Sequence, residues 1–330
     1  MQPAVDPPLV AVPRASSTAR QADAGMRSGD YLLVCLAAVL WGTGGLAGVS
    51  LAADGLGMLT VATARLAVGG VVLVVVLASL GRLADLGGAP AARRRVLVTG
   101  ALAALYQSSY FLAVSWTSVS VATLVALGAA PVVVATATAV RDRRRPATPT
   151  VVAVALAVLG LTLLVGVPVA GSGWGVALAL VAATAFATMT MVNRTPVAGL
   201  DGLSLTGASF TLGAALLAPF ALAAALAAGA GTPGGPPLLP SGPDAWLLVA
   251  YLGLGPTALA YGAYFTGLRT VPATTASLLA LIEPLTAALG AALLLGERLG
   301  AAGALGAALL VTAVVLLRPR RRVPPGTGLP

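Results

Sequence analysis

The feature that most constrains this chain is a series of apolar blocks, each about twenty residues long and separated by short polar segments. At 1.5 Å per residue, a helix of about that length spans the roughly 30 Å hydrocarbon core of a bilayer. Only 9% of the 330 residues are charged, whereas a soluble domain carries roughly a quarter. Too little polar surface is therefore available to cover a water-soluble globule, and the sequence predicts an all-α polytopic membrane protein.

The blocks predict ten transmembrane helices, five in each half of the chain. We expect residues 1–29 to form a disordered cytoplasmic tail and residues 318–330 to form a basic cytoplasmic tail. The two five-helix halves are residues 30–168 and 169–317. The predicted spans are approximately Tyr31–Ser50, Leu56–Leu80, Val96–Val114, Val119–Val140, Thr150–Val167, Gly173–Val192, Leu203–Ala228, Ala245–Leu268, Ala273–Leu295 and Gly300–Leu317.

The cationic residues predict the orientation in the membrane. All nineteen are arginines. If the N-terminus is cytoplasmic and ten helices alternate, seventeen of the nineteen fall on the cytoplasmic side, with Arg298 outside and Arg65 within a helix. Because arginines concentrate in cytoplasmic loops, this distribution predicts that both termini are cytoplasmic. It also identifies the lipid bilayer, and not nucleic acid, as the partner of the basic segments.

The two halves share a pattern. In each half a Tyr-Phe pair precedes a proline, by 21 residues in the first half and by 20 in the second. Because each half has an odd number of helices, the second half must run upside down relative to the first. Inverted repeats are a recurrent plan of secondary transporters, with a binding site near the midplane. The matching features are Tyr110-Phe111 with Pro131, Tyr264-Phe265 with Pro284, and Ala38–Thr43 with Ala183–Thr188.

Arg65 and Glu283 are the acidic and basic side chains that lie well inside the predicted spans. An ionised group in hydrocarbon costs roughly 2.5–3.5 kcal/mol, so such residues normally face the bundle interior or a wet cavity. Arg65 either anchors a substrate carboxylate or another anion, or stabilises its helix through neighbouring carbonyl groups. Glu283 either carries a proton or is a structural, hydrogen-bonded residue. In a third interpretation the two side chains pair with each other.

Prolines interrupt the fourth span of each half. A proline lacks the backbone N–H that a helix uses, so it leaves the carbonyl four residues earlier without its usual partner. We therefore predict helix breaks at Pro131 and Pro284. Glu283 directly precedes the second break. A carboxyl group there can be neutral when buried and ionised when water reaches it, which suits a proton carrier.

Tyrosines cluster on two of the predicted helices. Tyr106 and Tyr110 lie four residues apart on one helix face, next to Gln107, and Tyr261 and Tyr264 lie three apart. Side chains of this type either line a cavity, where they stack on or hydrogen-bond to a substrate, or pack in the ordinary way.

The order and spacing of several motifs resemble the EamA family of the drug/metabolite transporter superfamily. These motifs are Trp41-Gly42, Thr63–Ala67 around Arg65, Tyr110 with Pro131, Val271–Pro284, and Leu295–Leu299. The resemblance implies a secondary transporter with ten helices, and it adds Trp41 to the predicted substrate-binding residues. Family members mostly export amino acids, other metabolites or drugs. One departure is that Arg144 occupies the first-half position that matches Glu297.

Other classes of function lack the residues that they need. The chain has no His, one Cys and one acidic residue near mid-membrane, which leaves a membrane-embedded enzyme without a nucleophile, paired carboxylates or metal ligands. Without a lysine no ATP-binding P-loop exists, and short loops give a scaffold little partner surface. These absences predict a non-enzymatic protein without a cofactor or metal, and the resemblance implies that it is an exporter of small molecules in the bacterial inner membrane. It works by alternating access, either proton-coupled or as an uncoupled permease.

Overall fold

The structure is a computed structural model that describes residues 27–82, 90–166, 172–294 and 300–317. All regular elements in these ranges are helices. In chain order they are α1 Ser28–Ala53, α2 Met58–Ser79, α3 Pro90–Trp116, α4 Val119–Asp142, α5 Thr148–Val165, α6 Gly173–Asn193, α7 Gly202–Ala227, α8 Pro243–Leu252, a π-helical segment Gly253–Leu259, α9 Ala260–Gly267, α10 Ala273–Leu279, α11 Ile282–Leu294 and α12 Ala301–Leu316.

Within the described ranges, eight helical stretches are long and apolar enough to cross a membrane. Two of these stretches are composite, since Pro243–Gly267 runs through the π-helical segment and Ala273–Leu293 joins α10 to α11. Two further apolar stretches are shorter: Ser28–Gly44, which is the first part of α1, and Ala301–Leu316, which is α12. These stretches coincide with the predicted blocks, which confirms an all-helical, multi-pass membrane protein. Of the predicted tails, residues 1–26 and 318–330 lie outside the described residues, as do Glu297 and Arg298. Ser28 and Gly29, which the prediction assigned to the N-terminal tail, belong to α1.

The largest difference in helix length is at the start of α3. The prediction began this span at Val96, after three consecutive arginines, whereas the helix begins at Pro90 and includes all three. Proline is favoured in the first turn of a helix because its missing N–H would have no partner there. The arginines extend the helix beyond its apolar part, and one of them, Arg95, donates to the carbonyl oxygen of Thr195 at 2.7 Å.

The described arginines outside Arg65 gather at one end of the helix bundle, which we call the basic end. Arg82, just after α2, forms an ion pair with Asp201, just before α7, at 2.7 Å. The end of α2 therefore meets the start of α7, and the two helices run in opposite directions. The phenol of Tyr31, near the start of α1, donates to the carbonyl of Val314, near the end of α12, at 3.4 Å. Both ends of the helical region therefore lie at the basic end.

The most extensive helix contacts join the two halves of the chain. They are α2 with α7, α3 with α6, and α5 with α12. The first and last of these pair helices in corresponding positions. At the α5–α12 crossing the contact is reciprocal: a Cβ on Gly160 would lie 2.8 Å from the carbonyl oxygen of Gly306, and one on Gly306 would lie 2.5 Å from that of Gly160. Such reciprocity is what an internal two-fold relation between the halves produces.

The two prolines of the fourth span behave differently. Helix α4 continues through Pro131 from Val119 to Asp142, so the break predicted there is absent. Near Pro284 the helix is interrupted, since α10 ends at Leu279 and α11 begins at Ile282. The carbonyl of Ala280, which Pro284 cannot satisfy, accepts instead from the backbone N–H of Glu283 at 3.0 Å. The interruption thus places Glu283 in the first turn of α11.

Candidate functional site

A central cavity of about 150 Å³ lies between the two halves. Its lining includes six of the seven residues predicted to bind substrate or carry a proton. These are Trp41, Arg65, Tyr106, Tyr110, Tyr261 and Glu283. The lining continues to Met58 and Val119, the first residues of α2 and α4. Because α2 begins away from the basic end, the cavity extends from the bundle interior towards the opposite end.

The π-helical segment holds the guanidinium group of Arg65. The Nε of Arg65 donates to the hydroxyl of Thr257 at 3.0 Å, and that hydroxyl donates to the carbonyl of Leu252 at 2.7 Å. Helix α2 can approach this segment because Gly69, one turn beyond Arg65, lies against the carbonyl of Gly253. One guanidinium edge is thus fixed by protein, and the terminal nitrogens have no hydrogen-bond acceptor among the described residues.

Glu283 reaches the cavity from the break between α10 and α11. Its side chain is partly exposed, and its carboxylate accepts no hydrogen bond from any residue that the structure describes. Helix α1 packs directly on the same turn. A Cβ on Gly42 would lie 2.5 Å from the backbone carbonyl oxygen of Glu283 and 2.6 Å from the Cβ of Thr286. A glycine is required at position 42 for this close approach.

Arg65 and Glu283 do not pair, although both line the central cavity. Among the described residues, the only ion pair joins Arg82 to Asp201. A guanidinium group and a carboxyl group that share a cavity without contact are each available to a different polar group of a ligand. The interpretation in which Arg65 and Glu283 neutralise each other directly is therefore wrong for this conformation.

An aromatic wall completes the cavity. The ring of Trp41 lies 4.8 Å from that of Tyr261 and 5.9 Å from that of Phe186, and Tyr106 lies 5.6 Å from Phe186. The indole Nε1–H of Trp41 is buried and has no hydrogen-bond partner in the part of the chain that the structure describes. The hydroxyl of Tyr110 is bonded to Thr123 at 2.7 Å, whereas those of Tyr106 and Tyr261 have no partner among the described residues. Such a wall suits the apolar or aromatic part of a ligand.

Tyr264 lies behind this wall. Its ring centroid is 5.1 Å from that of Trp41, but the side chain is fully buried and is not part of the cavity lining. Its hydroxyl is bonded to that of Thr190 at 2.9 Å. Tyr264 therefore supports Trp41, and its hydroxyl is already engaged.

Three residues that shape the cavity were not among the predicted site residues. Gln107 was noted only as a neighbour of the tyrosines, yet its buried side chain lines the cavity and has no hydrogen-bond partner among the described residues. Phe186 corresponds to Trp41 in the pattern of the two halves. For Thr257 the sequence does contain one indication of a special role. It follows Pro256 inside an apolar span, where a proline disturbs the helix.

The basic end is closed by polar contacts. Asp201 caps α7, accepting from the backbone N–H groups of Leu203 and Ser204, each at 2.9 Å. Partial burial alone would raise the pKa of the Asp201 carboxyl, but the bonds from Ser204, the charge of Arg82 and the bond from Leu203 together lower it below its usual value. The carboxylate therefore stays charged and holds α2 against α7.

The described residues contain no group of three or more His, Cys, Asp or Glu that could hold a metal ion. The site instead offers one guanidinium, one carboxylate, an amide and aromatic rings. These groups can bind and orient a small molecule that carries both charge and apolar surface.

Apolar helices of spanning length around such a cavity define a multi-pass membrane protein with an internal ligand site. The chain belongs to the EamA-like transporter family, whose sequence model matches residues 29–166 and again residues 173–318. This double match confirms the two repeats and the predicted family. A crystal structure of a protein with 22% sequence identity superposes with a TM-score of 0.71, covering 88% of this chain and 96% of that chain. It shares the fold. None of the curated proteins compared with this chain matches it.

Proposed function

We propose that this chain is a secondary active transporter of the bacterial inner membrane that exports small metabolites, such as amino acids and related compounds, or drugs. Its ten helices would place both termini in the cytoplasm, with the basic end inside, because seventeen of the nineteen arginines then lie on that side. Membership of a transporter family supports the class of function.

The observation that carries the proposal is that Arg65 and Glu283 both line the central cavity and do not form an ion pair with each other. Holding a charge inside the membrane without a counter-ion is costly, so a ligand or water would compensate Arg65 and Glu283. Arg65, oriented by Thr257, would bind a carboxylate or another anionic group. The aromatic wall would take the apolar part of the same molecule.

Glu283 would couple transport to protons. Its carboxyl group lies beside the break between α10 and α11, where a change of helix angle alters its access to water. A proton bound from one side and released on the other would drive export as the cavity alternates between the two ends. The central cavity extends away from the basic end, which is the state expected after release to the outside.

The proposal is tested by efflux from cells that overproduce the protein, challenged with amino acids and toxic analogues. We expect resistance to at least one compound, and we expect Arg65→Gln to abolish it. Arg144→Gln is the matched control, because Arg144 is exposed in the loop after α4 and should be dispensable. Equal resistance with Arg65→Gln and the parent protein, at equal membrane levels, would contradict the proposal.

A further inference from the structure

A second cavity of about 30 Å³ lies at the basic end. Asn193 lines it, and its side chain is only 6% exposed. The amide oxygen of Asn193 accepts from the hydroxyl of Thr99 at 2.9 Å, which fixes the orientation of the amide. The amide nitrogen is buried and has no hydrogen-bond partner among the described residues. A buried donor that the protein does not satisfy indicates that something else binds it, at least part of the time.

The lining of this basic-end cavity repeats that of the central cavity. The pattern that aligns Ala38–Thr43 with Ala183–Thr188 also aligns Gly48 with Asn193, and the one that aligns Tyr110 with Tyr264 aligns Phe111 with Phe265. Matching the first residues of α2 and α7 aligns Met58 with Gly202 and Val61 with Leu205. In each of these four pairs, the first residue lines the central cavity and the second lines the basic-end cavity.

The two cavities are also neighbours along α9. Tyr261 lines the central cavity, and Phe265, one turn later, lines the basic-end cavity. Their rings are 5.8 Å apart, and Phe210 packs at 4.7 Å from Tyr261 and 6.3 Å from Phe265. A single aromatic layer thus separates the cavities. In an inverted repeat, such a pair is the open and the closed end of one pathway.

The chemistry of the two ends differs. The outer part of the central cavity is lined by Gly48, Met58 and Val61, which offer no charge. The basic-end cavity is lined by Arg95 and Arg269 beside the amide of Asn193. Its one acidic side chain, Asp201, is already paired with Arg82. Arg95 donates to the carbonyl of Thr195, but neither Arg95 nor Arg269 forms an ion pair with a carboxylate among the described residues. The basic end therefore has cationic groups and an amide donor, and the outer part of the central cavity has neither.

We propose that the basic-end cavity is the closed inner vestibule of the transport pathway and a binding site for the anionic group of the incoming substrate, formed by Asn193, Arg95 and Arg269. This inference rests on the proposed function, because it assigns the side from which substrate enters. Substrate bound there would pass the aromatic layer of Tyr261 and Phe265 to reach Arg65. At the opposite end it would meet no comparable anion site, which favours release.

The test is chemical modification of introduced cysteines, after Cys35, the one cysteine of the sequence, is replaced by Ala. Asn193→Cys reports on the basic end, and Gly48→Cys, its repeat counterpart, is the matched control. The probes are two membrane-impermeant reagents of similar size, the anionic sulfonatoethyl and the cationic trimethylammonioethyl methanethiosulfonate. Each is applied to right-side-out and to inside-out vesicles that contain the full chain.

We expect N193C and G48C to react from opposite sides of the membrane, with N193C reacting more slowly. We also expect the ratio of the anionic to the cationic rate to be about tenfold higher at N193C than at G48C. Adding Arg269→Gln should remove most of that preference at N193C and leave G48C unchanged. Reaction of both cysteines from the same side would overturn the pathway, and equal charge preference at both would overturn the anion site.

A second pair of variants protects the test against misfolding. Leu205→Cys and Val61→Cys are also repeat counterparts that line the two cavities, and the same two outcomes are expected of them. The labelling needs no transport substrate. If the labelling behaves as expected while no compound is exported, the proposed function fails and the vestibule stands. If export is found while both cysteines react from one side, the vestibule fails alone.

Discussion

The two repeats have the same helix plan but place different side chains at corresponding positions. Arg65 in α2 corresponds to Ser209 in α7, whose hydroxyl donates to the carbonyl of Leu205 in its own helix at 2.6 Å. Glu283 corresponds to Ala130, which is buried in the uninterrupted α4. Each repeat thus contributes one charge, and both charges face the same cavity. The fold is symmetric, whereas the chemistry of binding is not.

The packing follows the same division. Gly42 of α1 lies against the carbonyl of Glu283, where a Cβ would not fit. The corresponding residue of α6 is Ala187, which packs in a cluster with Val134 of α4 and Ala273 of α10. The continuous helix α4 therefore accommodates a methyl group, and the broken α10–α11 pair does not. Of these two corresponding positions, the one beside the break and the carboxyl group is the one that requires a glycine.

The largest effect is expected from removing the cation of this asymmetric pair. Arg65→Gln keeps some hydrogen-bonding capacity but loses the charge, and a hydrogen bond to a charged group contributes about 1.5–3 kcal/mol. The apparent affinity for an anionic substrate should fall by about 10- to 100-fold. Ser209→Ala is the control from the other repeat and should have little effect. Substrate titration of transport in proteoliposomes measures both, and equal losses would mean that the repeats contribute alike.

The helix contact beside Glu283 should be sensitive to a single methyl group. Gly42→Ala places a Cβ against the Glu283 carbonyl, and overpacking of this kind costs about 1–3 kcal/mol. Gly48→Ala, two turns further along α1, has nothing within 4 Å of the added Cβ and should be neutral. Chemical unfolding of the two purified variants in detergent provides the comparison. A stable Gly42→Ala variant would show that the close approach is not required.

A smaller effect is expected from Thr257, which corresponds to Ala103 in the first repeat. Thr257→Val removes the acceptor for the Arg65 Nε while keeping the shape, which should weaken substrate binding by about fivefold, since a hydrogen bond contributes about 1 kcal/mol. Thr257→Ser keeps the hydroxyl and should restore binding. If Thr257→Val and Thr257→Ser bind substrate equally, Thr257 does not orient Arg65.

The smallest effect on substrate binding is expected at the helix caps, which lie outside the lining of the central cavity. Asp201 caps α7, and its counterpart before α2 is Gly57. Asp201→Ala removes both the cap and the ion pair and should lower the free energy of unfolding by about 0.5–2 kcal/mol, whereas Asp201→Asn keeps the cap and should cost less. Since the folded state lowers the pKa of Asp201, its contribution is complete above the unfolded pKa of about 4 and is lost as pH falls through the folded pKa. Unfolding measured across acidic pH should show this loss in the parent and not in Asp201→Ala.

Much of this arrangement can be predicted from sequence, because the signal is carried by composition and spacing. Blocks of apolar residues predict the helices, and the lone charges Arg65 and Glu283 can be singled out because hydrocarbon excludes them. The break predicted at Pro131 is absent, because neighbouring helices can keep a proline-containing helix continuous. Local propensity alone does not reveal this. Likewise, Tyr264 is withdrawn from the cavity by Thr190, 74 residues away in sequence, a contact that no local pattern predicts.

The central claim is that Glu283 couples substrate movement to protons while Arg65 binds the substrate. The most direct measurement compares two modes of transport by Glu283→Gln in proteoliposomes, with Asp244→Asn as the control from the start of α8. We expect Glu283→Gln to retain exchange of labelled for unlabelled substrate at equal pH and to lose accumulation driven by a pH gradient. Gradient-driven accumulation equal to that of the parent protein would contradict the account.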